Sequence, residues 1–258
     1  MILVKKPFFA QSALLLCASF FIFLLVWEAI SLWLGTFLFP SPQVVALQLA
    51  NIFGNGVVWP HIFASLYHVL VGLFFGVLAG VALGFILGLS KLASSLFKPI
   101  VELLRPIPPI AWIPIAILWF GLGDASAFFI IFVASFFPMF TNVYFGVHSL
   151  PLVFARVSKG FGLSPLQKFW HIVLPFTSPY LLTGLKTAVG FSWMAIIAAE
   201  MIASQAGLGY FIDYNRLLLM PENVVGAMVI IGFIGFFFEW IVVYAEKKLL
   251  NWRSVAYA

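Results

Sequence analysis

The sequence predicts an all-α polytopic membrane protein with six transmembrane helices and both termini cytoplasmic. Three observations carry that prediction. Of its 258 residues, 64% are hydrophobic and only 8% charged. A soluble domain carries about 25% charged residues, so a globular cytoplasmic protein is excluded. Neither Ala29 to Ser90 nor Ala125 to Ala155 contains an Asp, Glu, Lys or Arg, and a helical crossing of the hydrocarbon needs only about 20 apolar residues. The bases fall at segment ends. With six spans, Lys5, Lys6, Lys91, Lys98, Arg156, Lys159, Lys168, Lys247, Lys248 and Arg253 lie inside and only Arg216 outside, as the positive-inside rule requires. The apolar runs are continuous rather than alternating, which excludes a membrane β-barrel.

Residues 1–60 read as a first span, about Ala13 to Leu34, and an outer connecting segment. The apolar start lacks a small-residue cleavage site close after its core, so it reads as an uncleaved helix rather than a signal peptide. Cys17 stands alone and follows Leu15-Leu16, which gives neither a disulfide nor a lipoprotein site. Phe39-Pro40-Ser41-Pro42 and Asn55-Gly56 are turn signals on either side of a charge-free stretch placed at the outer interface.

Residues 61–246 read as a core of five spans, about 62–89, 99–120, 127–147, 177–199 and 224–244, with a cytoplasmic loop at 151–172; 247–258 is a basic tail. In the first of these, Gly72, Gly76, Gly80, Gly84 and Gly88 recur every four residues. They form one helix face onto which a neighbouring backbone can close, a packing stripe rather than a ligand site. In the next, Pro106, Pro108, Pro109 and Pro114 surround Trp112. These prolines break or kink the helix. Irregular backbone at membrane depth must face protein or water, so this segment is a candidate to line or shape a path, the alternative being a purely structural kink. Glu102 and Arg105, three apart, read as a helix-face pair. Lys186 lies inside an apolar run, which makes it a path candidate, or else a snorkelling side chain paired with Glu102, Glu200 or Glu239. Glu200, at the end of the same span, is a further path candidate.

Catalytic motifs are missing. There is no Gly-rich nucleotide loop, no His/Cys ligand set, no H-E-x-x-H, no G-x-S-x-G and no carboxylate pair at general acid–base spacing. The expectation is a chain without catalytic residues, metal or nucleic-acid partner, embedded in lipid and moving a solute. Between the fourth and fifth spans of the six lies a polar island, Phe154 to Pro175, with Arg156, Lys159, Lys168 and His171. Ser164-Pro165 reads as a helix start with Pro at the first position. Leu152 to Phe161 forms another short helix ended by Gly162. The result is a shaped, basic surface for a soluble partner, or else a solvated connection.

These residues resemble a known family. Gly162-Leu163-Ser164 followed by Ile172-Val173-Leu174-Pro175 resembles the EAA loop of ATP-binding-cassette importer permeases. Pro106 to Ser126, Ala199-Glu200 with Gly207-Leu208-Gly209, and Ser65-Leu66 before the glycine stripe are similar to the nitrate/sulfonate/taurine/bicarbonate branch of the binding-protein-dependent type I group. The likeness runs from Phe39 to Trp252.

It implies the type I ABC importer permease fold in a bacterial plasma (inner) membrane. It implies a homodimer of permeases, two cytoplasmic ABC ATPase subunits and an external solute-binding protein. ATP and Mg would be held by the ATPase, and this chain would bind no cofactor. Arg156, Lys159, Gly162, Leu163, Ser164, Leu174 and Pro175 would belong to the ATPase-coupling loop. The solute would be an anion such as nitrate, sulfonate, taurine or bicarbonate, or a pyrimidine-type vitamin precursor. Two positions depart from the pattern. Arg156, followed by Val157 and Ser158, stands where the loop motif has its acid and alanines, and His68 stands where the branch often has Arg. The alternative is a stand-alone secondary transporter.

Overall fold

The computed structural model describes residues 8–249; Lys5, Lys6 and Arg253 lie outside them. The chain divides into two compact units, one taking the chain up to Val58 together with Ile212–Ile230, the other Trp59–Phe211 and the chain from Ile231 onward.

The first unit contains α1 (Phe8–Leu34), α2 (Pro42–Gly54) and part of two helices shared with the second, α10 (Leu208–Leu217) and α11 (Pro221–Leu249). Ser41 caps α2, its Oγ accepting from the Val44 N–H, with Pro42 in the first turn where a missing donor costs nothing. The Trp27 indole donates to the Pro40 carbonyl at 3.0 Å and the Ser31 hydroxyl to that of Phe39 at 2.7 Å, which fixes the turn after α1. An amide chain runs from Gln48 to Asn223 and on to Asn215, 2.7 Å at each step.

The second unit is built on α3 (Trp59–Leu89), α6 (Asp124–His148) and α9 (Leu174–Ala203). The glycine stripe of α3 faces a matching four-residue ladder on α6. A Cβ added at Gly72 would stand 2.5 Å from the Ile131 Cβ, at Gly80 2.8 Å from Met139, at Gly84 2.6 Å from Val143 and at Gly88 2.8 Å from Val147, while Gly76 abuts the Ser135 hydroxyl. The backbones meet because five side chains are absent. Such close approach is how helices associate where lipid removes the hydrophobic drive.

Two prolines sit inside these helices without ending them. Pro179 cannot donate to the Pro175 carbonyl, and the Ser178 hydroxyl takes that acceptor instead at 2.9 Å. Pro138 leaves α6 continuous, and its own carbonyl is used by the Asn142 amide at 2.9 Å.

Five helical stretches are long and apolar enough to cross a membrane: Leu15–Leu34, Trp59–Leu89, Asp124–His148, Pro165–Ala203 and Pro221–Leu249. Lys91–Leu104 and Pro109–Phe120 pass the same test only together, as a sharply bent pair, and the break expected from the prolines within 99–120 lies between them. The segment is α4 (Lys91–Leu104), a 3-10 turn (Pro109–Trp112) and α5 (Ile113–Phe120), bent by 93° between the two arms. Pro106, Pro108 and Pro109 lack the N–H groups that would carry α4 onward, and Pro108 is extended at φ −63°, ψ 143°. Pro114 lies in the first turn of α5, where it is tolerated.

Candidate functional site

The polar island is two short helices joined by a tight link. After α7 (Leu152–Gly160) the chain turns through Gly162 at φ +65°. The Leu163 N–H returns to the Ser158 carbonyl at 3.0 Å, the six-to-one bond of a glycine-terminated helix end. Gly162 has open space around a would-be Cβ, so backbone conformation rather than crowding selects glycine.

The next residues start a helix at once. Ser164 and Gln167 form a capping box: the Ser164 N–H donates to Gln167 Oε1 at 2.9 Å and the Gln167 N–H to Ser164 Oγ at 3.3 Å. This is α8 (Pro165–Lys168). It passes through a π turn (Phe169–Val173) directly into α9. The wider turn lies where Pro175 lacks a donor, and the Leu174 N–H reaches back to the Phe169 carbonyl.

Loop and core are therefore one mechanical piece. Val173 is buried with Phe85, Met139, Val143 and Val147, and the Phe169 ring packs edge-on to Phe85 at 5.1 Å. The outer surface of the loop is the opposite. Leu152, Phe161 and Leu166 are exposed at 74%, 79% and 68%, beside the exposed Arg156. Large apolar side chains rimmed by base are what a partner-binding face presents.

A second cluster joins four segments. Glu200, wholly buried, accepts from Ser65 Oγ at 2.7 Å and from the Gly209 N–H at 3.0 Å. Its other oxygen lies 2.9 Å from His68 Nδ1, while His68 Nε2 lies 3.0 Å from Asp124 Oδ1. Ser65 Oγ also accepts from the Leu208 N–H at 2.8 Å. A Cβ at Gly207, where φ is +111°, would strike the Glu200 carboxylate. Glu200 is thus the centre of a hydrogen-bonded knot between α3, the end of α9 and the Gly207–Gly209 turn. Sequence reading missed the knot because its members stand 132 positions apart at the His68–Glu200 contact.

A cavity of about 430 Å³ opens where the proline break meets α6 and α9. Its wall includes Arg105, Pro109, Phe137, Thr141, Asn142, Thr187 and Phe191. Pro109 is the one proline of the break on this wall; Pro106 and Pro108 shape the bend. Trp112 packs behind it against Phe129, in the cluster formed by Ile113, Ala116 and Ile130.

One pairing differs from the sequence reading, and another takes an alternative that it offered. Glu102 pairs with Lys98, at 3.4 Å, rather than with Arg105. On a helix the four-residue spacing competes with the three-residue one, and Arg105, at the α4 end, turns to the cavity. Lys186 faces α11 and lies 3.7 Å from Glu239, beside Trp193 and Gly235. It stays off the cavity wall that its neighbour Thr187 lines, because adjacent residues of a helix diverge by about 100°. No cluster of three His, Cys, Asp or Glu able to hold a metal occurs among the described residues.

Residues 72–251 match the family model described as the inner membrane component of binding-protein-dependent transport systems. The chain belongs to this family. As a permease of that family it is a multi-pass inner-membrane protein and the membrane-spanning transport subunit of an ABC importer. It is similar to the taurine transport system permease protein of Escherichia coli, 34% identical over 88% of this chain and 85% of the other. It is also similar to the nitrate import permease protein of Synechocystis, 36% identical over 88% of both chains. A putative ABC transporter permease of Methanocaldococcus jannaschii is 34% identical over 89% and 88%. Among solved structures, an inward-facing methionine ABC transporter, MetNI, superimposes with TM-score 0.59 at 18% identity, covering 76% of this chain and 97% of the other. That likeness is one of fold, and the permease shares the type I architecture.

Proposed function

We propose that this permease pairs with a second copy of itself, with both termini cytoplasmic, and imports a small oxyanion. Two ABC ATPase subunits dock on Phe154–Pro175, and an external solute-binding protein delivers the solute. The observation that carries the coupling assignment is the continuity of the helix Pro165–Ala203. A push on Leu166 is passed through the packed Phe169 and Val173 into α3, α6 and α9 without a break in the helix. ATP and Mg belong to the ATPase, and the closing of its dimer rocks these helices between inward and outward access.

Arg156 makes a basic contact where the family motif carries an acid, so the loop holds its partner through shape and apolar area rather than that motif's carboxylate. The proline break forms the wall of the path. The solute class is supported by the relatives named for taurine and nitrate and by a third named for aliphatic sulfonates. Co-purification tests the docking. Deleting residues 154–162, or replacing Gly162 by Val, should leave the permease in the membrane fraction and strip it of ATPase. Normal ATPase recovery together with normal uptake in either variant would contradict the assignment.

A further inference from the structure

The 430 Å³ cavity beside the proline break has one charged group on its wall, Arg105. Three polar side chains share that wall: Thr141, Asn142 and Thr187. The remainder is apolar, chiefly aromatic rings and proline. Such a chamber, mostly apolar with a few convergent polar groups, has the form and size of a small-molecule site.

The charge on Arg105 is not neutralised locally. Glu102 lies three residues before it but is engaged by Lys98 at 3.4 Å. No carboxylate forms an ion pair with Arg105 among the described residues. Arg105 and Thr141 also line a neighbouring cleft whose other residues include Lys98, Glu102 and Tyr144. The guanidinium therefore stands at a junction between a charged cleft and an apolar chamber. Its five donors in a rigid fork suit an oxyanion, and the guanidinium is exposed on the chamber wall with no ion-pair partner among the described residues. A second role is already fulfilled by the position: Arg105 ends α4, where a cation complements the helix dipole. The experiment has to separate these two.

We infer that Arg105, with Thr141 and Asn142 beside it, is the contact that holds the transported oxyanion as it crosses the permease. This rests on the small-oxyanion reading given above.

The test uses the complete importer, with its ATPase and binding protein, in proteoliposomes offered labelled taurine, nitrate and methanesulfonate. Uptake and ATP hydrolysis stimulated by the binding protein are measured together for the native chain and for Arg105→Gln. The expected result is native uptake of at least one of the three anions. Arg105→Gln should lower it by about tenfold or more, the factor that one hydrogen bond to a charged group carries, while stimulated hydrolysis stays within about twofold. Uptake that stays within about twofold of native in Arg105→Gln overturns the inference and leaves the solute class standing. Joint loss of uptake and stimulated hydrolysis also overturns it, because Arg105 then only holds the helix end. Failure of the native importer to move any of the three anions instead removes the solute class, and the inference with it.

Discussion

At Glu200 a single side chain joins α3, the end of α9 and the Gly207–Gly209 turn, and His68 carries the join on to Asp124 at the start of α6. Replacing it by Ala would leave the buried His68 Nδ1 without its partner, with only Asp124 remaining on Nε2, and strand the Ser65 hydroxyl and Gly209 N–H. Breaking a buried pair in this way costs about 3–5 kcal/mol. Glu200→Ala is therefore expected to lower the apparent unfolding temperature in detergent and the yield of inserted protein. Lys186 should behave differently. It pairs with Glu239 at 3.7 Å, beside Trp193 and Gly235 and off the wall of the cavity. Lys186→Met should change neither uptake rate nor solute preference beyond about twofold. A larger loss in a transport assay would return Lys186 to the path.

Among elements, the α3–α6 contact is the most demanding. Gly84→Leu places a side chain where the Val143 Cβ stands 2.6 Å from a bare Cβ, and the helices must separate along their length. Gly190, on α9, meets nothing within 4 Å. Gly190→Ala should be neutral or stabilising by about 0.5–1 kcal/mol. Thermal unfolding of the two variants in detergent checks the contrast, and equal destabilisation would refute the packing account.

How far these elements were legible depends on the range of the interactions that make them. The apolar runs mark the crossings because lipid imposes length and composition locally. Gly162 and Ser164-Pro165 mark a helix end and a helix start because caps are built from neighbouring residues. The four-residue glycine stripe marks a contact face, but nothing in α3 names α6 as its partner. The proline cluster signals a break but not its 93° bend, since the angle is set by how α5 packs on α6. The Glu200–His68–Asp124 chain was invisible for the same reason. Lys98 won Glu102 from Arg105 because both spacings are permitted and only the fold around the α4 end selects between them.

For the whole molecule, the proposed reading is a permease that supplies the solute route and the transmission while a partner ATPase holds the nucleotide. On that reading its energy source arrives at the face made by α7 and α8. Reconstitution of the permease with and without its ATPase, under imposed ion gradients, tests this most directly. Uptake that requires the ATPase and hydrolysable ATP, and that persists when proton and sodium gradients are collapsed, is the predicted result. Uptake by the permease alone, driven by an ion gradient and indifferent to ATP, would contradict it.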